Sequence, residues 1–308
     1  MSSAARRSLG RVAALALQQV VVPGRAPSTM RRLPPALLPG TSPFVAFDEF
    51  WVSQRGPFGP HPHGGFSAVT VVLRDSAGAM HNRDSLGDNS VIVPGGIHWT
   101  LAGRGVIHEE EPATPGVVVH GLQLFIDLPD GARDEAPTSL RGDAAGVPDV
   151  STGAGSSVRV VVGAHDGARA KVQPPHNPGL TILDVEIAES CGDGTLLTAP
   201  RDHTALLLAV RGDILVTGAD ASSSVLREGE VATLDPDGDV VAVSVAPGSG
   251  ATSHAVLMTG LPTRPVESLH FAGPFPTYMA DTEDRIRAYK LRYGRGEMGT
   301  LVASAPHA

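Results

Sequence analysis

The sequence predicts an all-β protein of two β-barrels in tandem, followed by one C-terminal α-helix. Three observations predict it. Short runs rich in Val, Leu and Ile recur along the chain, bounded by Gly, Pro, Asn or Asp, as strands and tight turns require. The runs form two groups, separated by a stretch around residues 129–157 that loses hydrophobic periodicity and gains Gly, Pro, Asp and Ser. Only DTEDRIRAYKLRYGRGEMG, near the end, carries helical signals. The 36 Gly and 26 Pro favour turns and strands over long helices.

The first acidic residue is Asp48. Before it, residues 1–25 carry Arg6, Arg7 and Arg11 among Ser, Ala and Leu. This extension reads as frayed and disordered, with an organelle-targeting peptide as the alternative. Residues 26–130 form the first barrel, entered through MRRLPPALLPGTSPFVAFDEF, whose Phe44, Phe47 and Phe50 read as core or barrel mouth. Within it SAVTVVLR, NSVIVPGG and HWTLAG are strand-length, and HGLQLFIDLP reads as a closing strand with Gln123 on the face opposite Leu122, Leu124 and Ile126. Residues 131–157 are the linker.

Residues 158–299 form the second barrel and include the helix. TALLLAVRGDILV reads as a hairpin about Gly212 and Asp213. In the helix, acids at the start and Arg or Lys near the end suit the backbone dipole, Ile286, Tyr289 and Leu291 or Tyr293 lie on one stripe, and Gly294 is a plausible stop. Residues 300–308 read as a disordered tail.

The chemistry lies in residues 57–112. His61 and His63 stand at one end, His108 and Glu110 at the other. Residues two apart on a strand share a face, so each pair aims together. If the sheet closes, three imidazoles and one carboxylate meet inside it. That set suits a first-row transition metal such as iron, while zinc, nickel or copper could also occupy it. The second barrel has His165, His176, His203 and His254 but no such pair, and is expected to hold no metal.

In succession HPHGGF, HNRDSLGDN, VIVPGGIHW, LAGRGVIHEE and HGLQLFIDLP resemble the pirin family of bicupins, from about Met30 to about Gly299. The resemblance implies two cupin (jelly-roll type) β-barrels with one Fe(II) in the first, held by His61, His63, His108 and Glu110. It also implies, for some members, a quercetin 2,3-dioxygenase activity. A flavonol would then lose its hydroxyl proton to Glu110, the catalytic residue, and react with dioxygen. For other members it implies a redox-sensing regulator that binds an enzyme or transcription factor according to its metal state. A structural metal is the third reading. Where the family usually has Arg after the second histidine and an acid four positions beyond it, this chain has Gly64 and Ser67. The first departure weakens the case for a charged protein-binding surface; the second leaves Glu110 as the carboxylate. His98 replaces a usual Gln, either lining the pocket or filling the core.

Composition narrows the partners. A formal charge of -8 and a pI of about 5.8 provide no broad basic field for nucleic acid. The single cysteine, Cys191, rules out an intramolecular disulfide framework, suits a reducing compartment and has no expected catalytic role. No apolar run is long enough to span a membrane. The chain reads as a cytoplasmic monomer, or a nuclear one in a eukaryote.

Overall fold

The computed structural model describes residues 6–20, 28–54, 58–151, 155–188, 194–219, 221–273 and 277–301. Cys191 and the tail beyond residue 301 lie outside the described residues. The architecture is all-β, with one α-helix at Glu283–Gly294. The chain divides into two compact units, each built on a seven-stranded and a four-stranded antiparallel sheet.

One unit comprises Leu17–Arg32, Phe44–Ala144 and Pro265–Ala308. Its larger sheet runs Thr138–Gly142, Ile97–Leu101, Phe66–Val72, Val119–Asp127, Phe44–Val52, Ser28–Arg32 and Ala16–Val20, in spatial order. The smaller sheet runs His61–His63, Val106–Pro112, Met80–Asp84 and Asn89–Ile92. Phe66–Val72, rich in β-branched residues, is buried on both faces. Between the sheets Phe50, Val52, Val72, Met80 and Ile92 form an apolar core. Phe44, Phe47 and Phe50 are all buried, the core role expected of them.

Val119–Asp127 pairs with a strand on each side, so it is central rather than closing. The expected linker is also ordered: Arg133 is fully buried in an ion pair with Asp127, and Thr138–Gly142 joins the large sheet. The helix, expected to belong to the second barrel, packs on the first unit instead. The Tyr289 hydroxyl donates to the Arg133 carbonyl at 3.0 Å, and Ile286, Tyr289 and Met298 cluster with Ile107 and Tyr278. Thr282 caps the helix by accepting from the Arg285 N–H, and the acids Glu283 and Asp284 follow in the first turn. Leu291 and Tyr293 are exposed, so the apolar stripe is narrower than its sequence suggests.

The other unit comprises Met1–Ala16, Leu33–Pro43 and Ala145–Arg264. Its core alternates along Thr181–Ala188 (Leu183, Val185, Ile187) and Thr204–Arg211 (Ala205, Leu207, Ala209), the period-2 pattern of strands. Gly212 and Asp213 do not close a hairpin. Thr204–Arg211 belongs to the seven-stranded sheet and Ile214–Thr217 to the four-stranded one, so this turn passes the chain from sheet to sheet.

The N-terminal extension is likewise structural in its described part. Leu9–Ala14 pairs antiparallel with Glu230–Leu234. Arg7, only 2% exposed, donates from Nη1 to the carbonyls of Ala199, Pro200 and His203, from Nη2 to that of Leu234, and from Nε to that of Asp235. A guanidinium gathers this many carbonyls only where the backbone around it is held in place. Replacing Arg7 with Ala strands those carbonyls, and we expect a loss of about 2–4 kcal/mol in urea unfolding followed by circular dichroism. A change under about 0.5 kcal/mol would reject this role.

A second buried charge sits on the first unit. His120 stacks on Trp51 (ring centroids 4.5 Å apart), with the Arg31 guanidinium 5.0 Å from the Trp51 ring. Its ring nitrogens face Asp75 at 2.9 Å and Glu49 at 3.2 Å. Burial alone would lower the imidazole's pKa, but hydrogen bonds to the two carboxylates outweigh it and push it up to about 9. The folded pKa is therefore raised. Its stabilisation is complete below the unfolded value, about 6.5, and is lost as pH rises through about 9. Comparing wild type with His120→Gln between pH 6 and 10 should show a difference that shrinks by about 3 kcal/mol. A pH-independent difference would contradict it.

Candidate metal centre

The short strand His61–His63 is an edge strand, where a proline at position 62 costs no ladder bond on its free side. Among the described residues it pairs with Val106–Pro112, His108 opposite His61 and Val106 opposite His63. This pairing brings the three imidazoles together. His61 Nε2 lies 3.1 Å from His63 Nε2 and 3.1 Å from His108 Nε2. The ring centroids are 4.6–4.7 Å apart.

The protonation pattern follows from the partners. His61 Nδ1 lies 2.7 Å from the Gly59 carbonyl, which can only accept, so Nδ1 carries the hydrogen and Nε2 the lone pair. Burial lowers the His61 pKa, and lowers that of His108 well below its ordinary value, with His61, His63 and His98 adding to the effect. Neutral imidazoles with converging Nε2 atoms repel unless a proton or cation lies between them. A backbone carbonyl holding the far nitrogen is the usual outer partner of a metal-bound histidine. Phe66 stands edge-on to His63 at 5.0 Å, and Phe125 to Phe66 at 5.4 Å, which walls that side with apolar rings. The donor set fits a first-row divalent metal.

The fourth expected ligand, Glu110, lies beside this group rather than in it. The ligand atoms of His61, His63 and His108 are all within 4.8 Å of one another, and that cluster does not include Glu110. Glu110 is on the same strand face as His108, 4% exposed, and its Oε1 accepts from Thr70 Oγ1 at 2.5 Å. Burial pushes the carboxyl up to about 7, against the opposing Thr70 hydrogen bond. Thr70 Oγ1 is also 2.9 Å from Gln123 Oε1. A hydroxyl has one proton, so it serves one of these acceptors at a time.

Thr70 and Gln123 belong to a row no local motif reveals. Across the large sheet, Arg32 pairs with Asp48, Asp48 with Gln123, Gln123 with Thr70, Thr70 with His98, and His98 with Arg141. Directly paired residues point to the same side, so a polar stripe crosses the barrel interior. Asp48 is buried in a two-pronged pair with Arg32 at 2.7 and 3.0 Å. His98, expected either in the pocket or in the core, belongs to this stripe and is 1% exposed. Ser67 lies on the face opposite Thr70 and is fully buried.

Gly64 and Gly65 explain one departure from the family pattern. A Cβ at Gly64 would meet the Tyr289 ring at 3.2 Å and that of Tyr278 at 3.3 Å. At Gly65, with φ +89°, it would come within 1.9 Å of the Met279 carbonyl oxygen. The C-terminal segment therefore covers the place where the family usually carries an arginine. In the second unit His254 contacts Asp184, His165 contacts Thr198 and His203 contacts Asp202, each a separate pair.

Two antiparallel sheets enclosing three convergent histidines define a cupin-type barrel with a candidate site for a divalent metal. Residues 28–126 match the Pirin family model. The pirin of Mus musculus is 31% identical over 238 residues, 77% of this chain and 77% of that protein. A Pseudomonas aeruginosa protein provisionally named a quercetin 2,3-dioxygenase is 31% identical over 193 residues, 60% of this chain and 62% of that one. A solved structure titled quercetin 2,3-dioxygenase from Acinetobacter baumannii has a TM-score of 0.79 at 23% identity, covering 97% of this chain and 100% of that one. The chain belongs to the pirin family.

The geometry predicts that His61→Ala and His63→Ala each lose most of the metal held at this centre. After each protein is loaded with Fe(II) and dialysed, elemental analysis should find under about a tenth of what the wild type retains, since one ligand of three is gone and the rest repel. Full occupancy in His63→Ala would remove the assignment.

Proposed function

We propose that the protein is an iron-dependent dioxygenase acting on a quercetin-like flavonol or a related small phenolic. The observation that carries this reading is a buried carboxyl, pushed up to about 7 by burial, on the strand face of His108 and beside three convergent imidazoles. The relatives' dioxygenase names point the same way. His61, His63 and His108 would hold the metal, with Glu110, two residues from His108 on the same strand face, as the carboxylate to join them. A bound iron would supply the Lewis acidity and electron exchange that activation of a phenol and dioxygen needs.

The chain's own residues account for the rest. A carboxyl poised near neutrality is matched to taking a proton from an acidic phenolic hydroxyl and giving it up later. Thr70 holds one oxygen of Glu110, so the other is the one free to meet a substrate. Phe66 and Phe125 provide an apolar wall suited to an aromatic ring. Asp48, already paired with Arg32, and Gln123 set the polar side of the same interior.

Glu110→Gln keeps the shape and removes the proton acceptor. Its turnover per bound iron, read as oxygen uptake with a flavonol panel, should fall by about 10²–10⁴. Unchanged turnover per iron would end the base role. Absence of any flavonol-dependent oxygen uptake by the iron-loaded wild type would overturn the enzyme reading and leave the metal-state regulator in its place.

A further inference from the structure

A second group of ligand-type side chains lies in the same unit. Asp84 ends the strand Met80–Asp84, Asp88 follows a tight turn, and His98 comes from the facing sheet. Each offers a ligand atom within 4.8 Å of the other two, and all three are mostly buried. Asp84 Oδ1 accepts the N–H groups of Leu86 and Asp88, both at 2.9 Å, and so shapes the turn. Its Oδ2, buried in a residue only 4% exposed, has no hydrogen-bond partner among the described residues. The same holds for Oδ1 of Asn82, two residues earlier on the same strand face.

The charges are out of balance. Hydrogen bonds from Ser90 and Asn82 outweigh burial and keep Asp88 ionised. Burial lowers the His98 pKa, so the imidazole is neutral near pH 7. Among the described residues, the cation paired with this group is Arg141, 3.4 Å from Asp88, with its side chain 56% exposed. Two buried carboxylates facing a neutral imidazole are costly unless a further positive charge joins them.

The imidazole is also oriented for a ligand role. His98 Nε2 lies 3.3 Å from Asp88 Oδ2 and 3.2 Å from the Asn82 amide Nδ2, and its Nδ1 lies 3.3 Å from Thr100 Oγ1. Nε2 is thus the ring nitrogen turned toward Asp88, with an outer partner on the far nitrogen, as in a metal-bound imidazole.

We propose that Asp84, Asp88 and His98 form a second divalent-cation site. Two carboxylates and one imidazole suit Mn²⁺ better than a soft ion. The site uses none of the three histidines of the first centre, although Asp84 is the cross-strand partner of His108, and it does not depend on the dioxygenase reading.

Manganese is the probe. Metal-free full-length protein is equilibrated with excess MnCl₂, freed of unbound ion, and its manganese counted by elemental analysis and paramagnetic resonance. In His63→Ala, where the first centre is disabled, we expect one equivalent to remain. Adding His98→Gln should weaken that equivalent at least tenfold and abolish the rise in melting temperature that manganese gives His63→Ala. Asp88→Asn in the same background is a second route should the glutamine variant misfold, as judged by circular dichroism. No manganese in His63→Ala, or an equivalent untouched by both added changes, would overturn the site.

Discussion

The register between His61–His63 and Val106–Pro112 is the constraint on which the centre depends. It sets His108 opposite His61 and holds His63 one pleat along. A slip of one residue would turn His108 and Glu110 away from the interior and bring Ile107, Glu109 and Glu111 in. Two features oppose the slip. Glu109, facing the other way, is paired with Arg83 on the neighbouring strand, and Ile107 packs with the Tyr278 and Tyr289 cluster. The outward face of this strand therefore secures the inward one.

That outward face explains why a C-terminal segment belongs to the unit that holds the histidines. Tyr289 reaches the Arg133 carbonyl while the Arg133 guanidinium binds Asp127 and the Gly65 carbonyl. Gly65 directly follows the turn out of the histidine strand, so helix, buried ion pair and ligand strand form one connected set. The N-terminal arm plays a comparable part in the other unit, where Arg7 gathers the carbonyls of two separate segments. Each terminal arm completes the unit farther from it in sequence.

What could be read from the sequence divides along the range of the interactions. Strands, turns and the helix were legible because period-2 alternation, Gly and Pro punctuation and first-turn acids act over a few residues. His61, His63 and His108 were legible because two-residue spacing fixes a common face whatever the strand later pairs with. The terminal exchange was not, since nothing in MSSAARRSLGRVAALAL states that Arg7 will meet carbonyls more than 190 residues away. The hairpin reading at Gly212 failed for a related reason: a two-residue turn fits a sheet-to-sheet corner as well as a hairpin, and only pairing partners distinguish them.

The polar stripe shows the same limit at the centre itself. Asp48, Thr70, His98 and Gln123 sit on four different strands, and each taken alone is an ordinary polar residue on an otherwise apolar run. Cross-strand register turns them into neighbours, and burial then raises what each contact is worth, because an unpaired polar group inside the barrel has no water to fall back on. Thr70 illustrates the consequence. Its single hydroxyl proton stands between Glu110 and Gln123, so the orientation of the carboxyl beside the histidines is tied to an amide on the next strand. The candidate centre is therefore not four residues in two motifs but those motifs set against a floor assembled by the large sheet. The spacing of histidines along the chain marks the candidate centre; the register across the sheet determines what the carboxyl next to it can do.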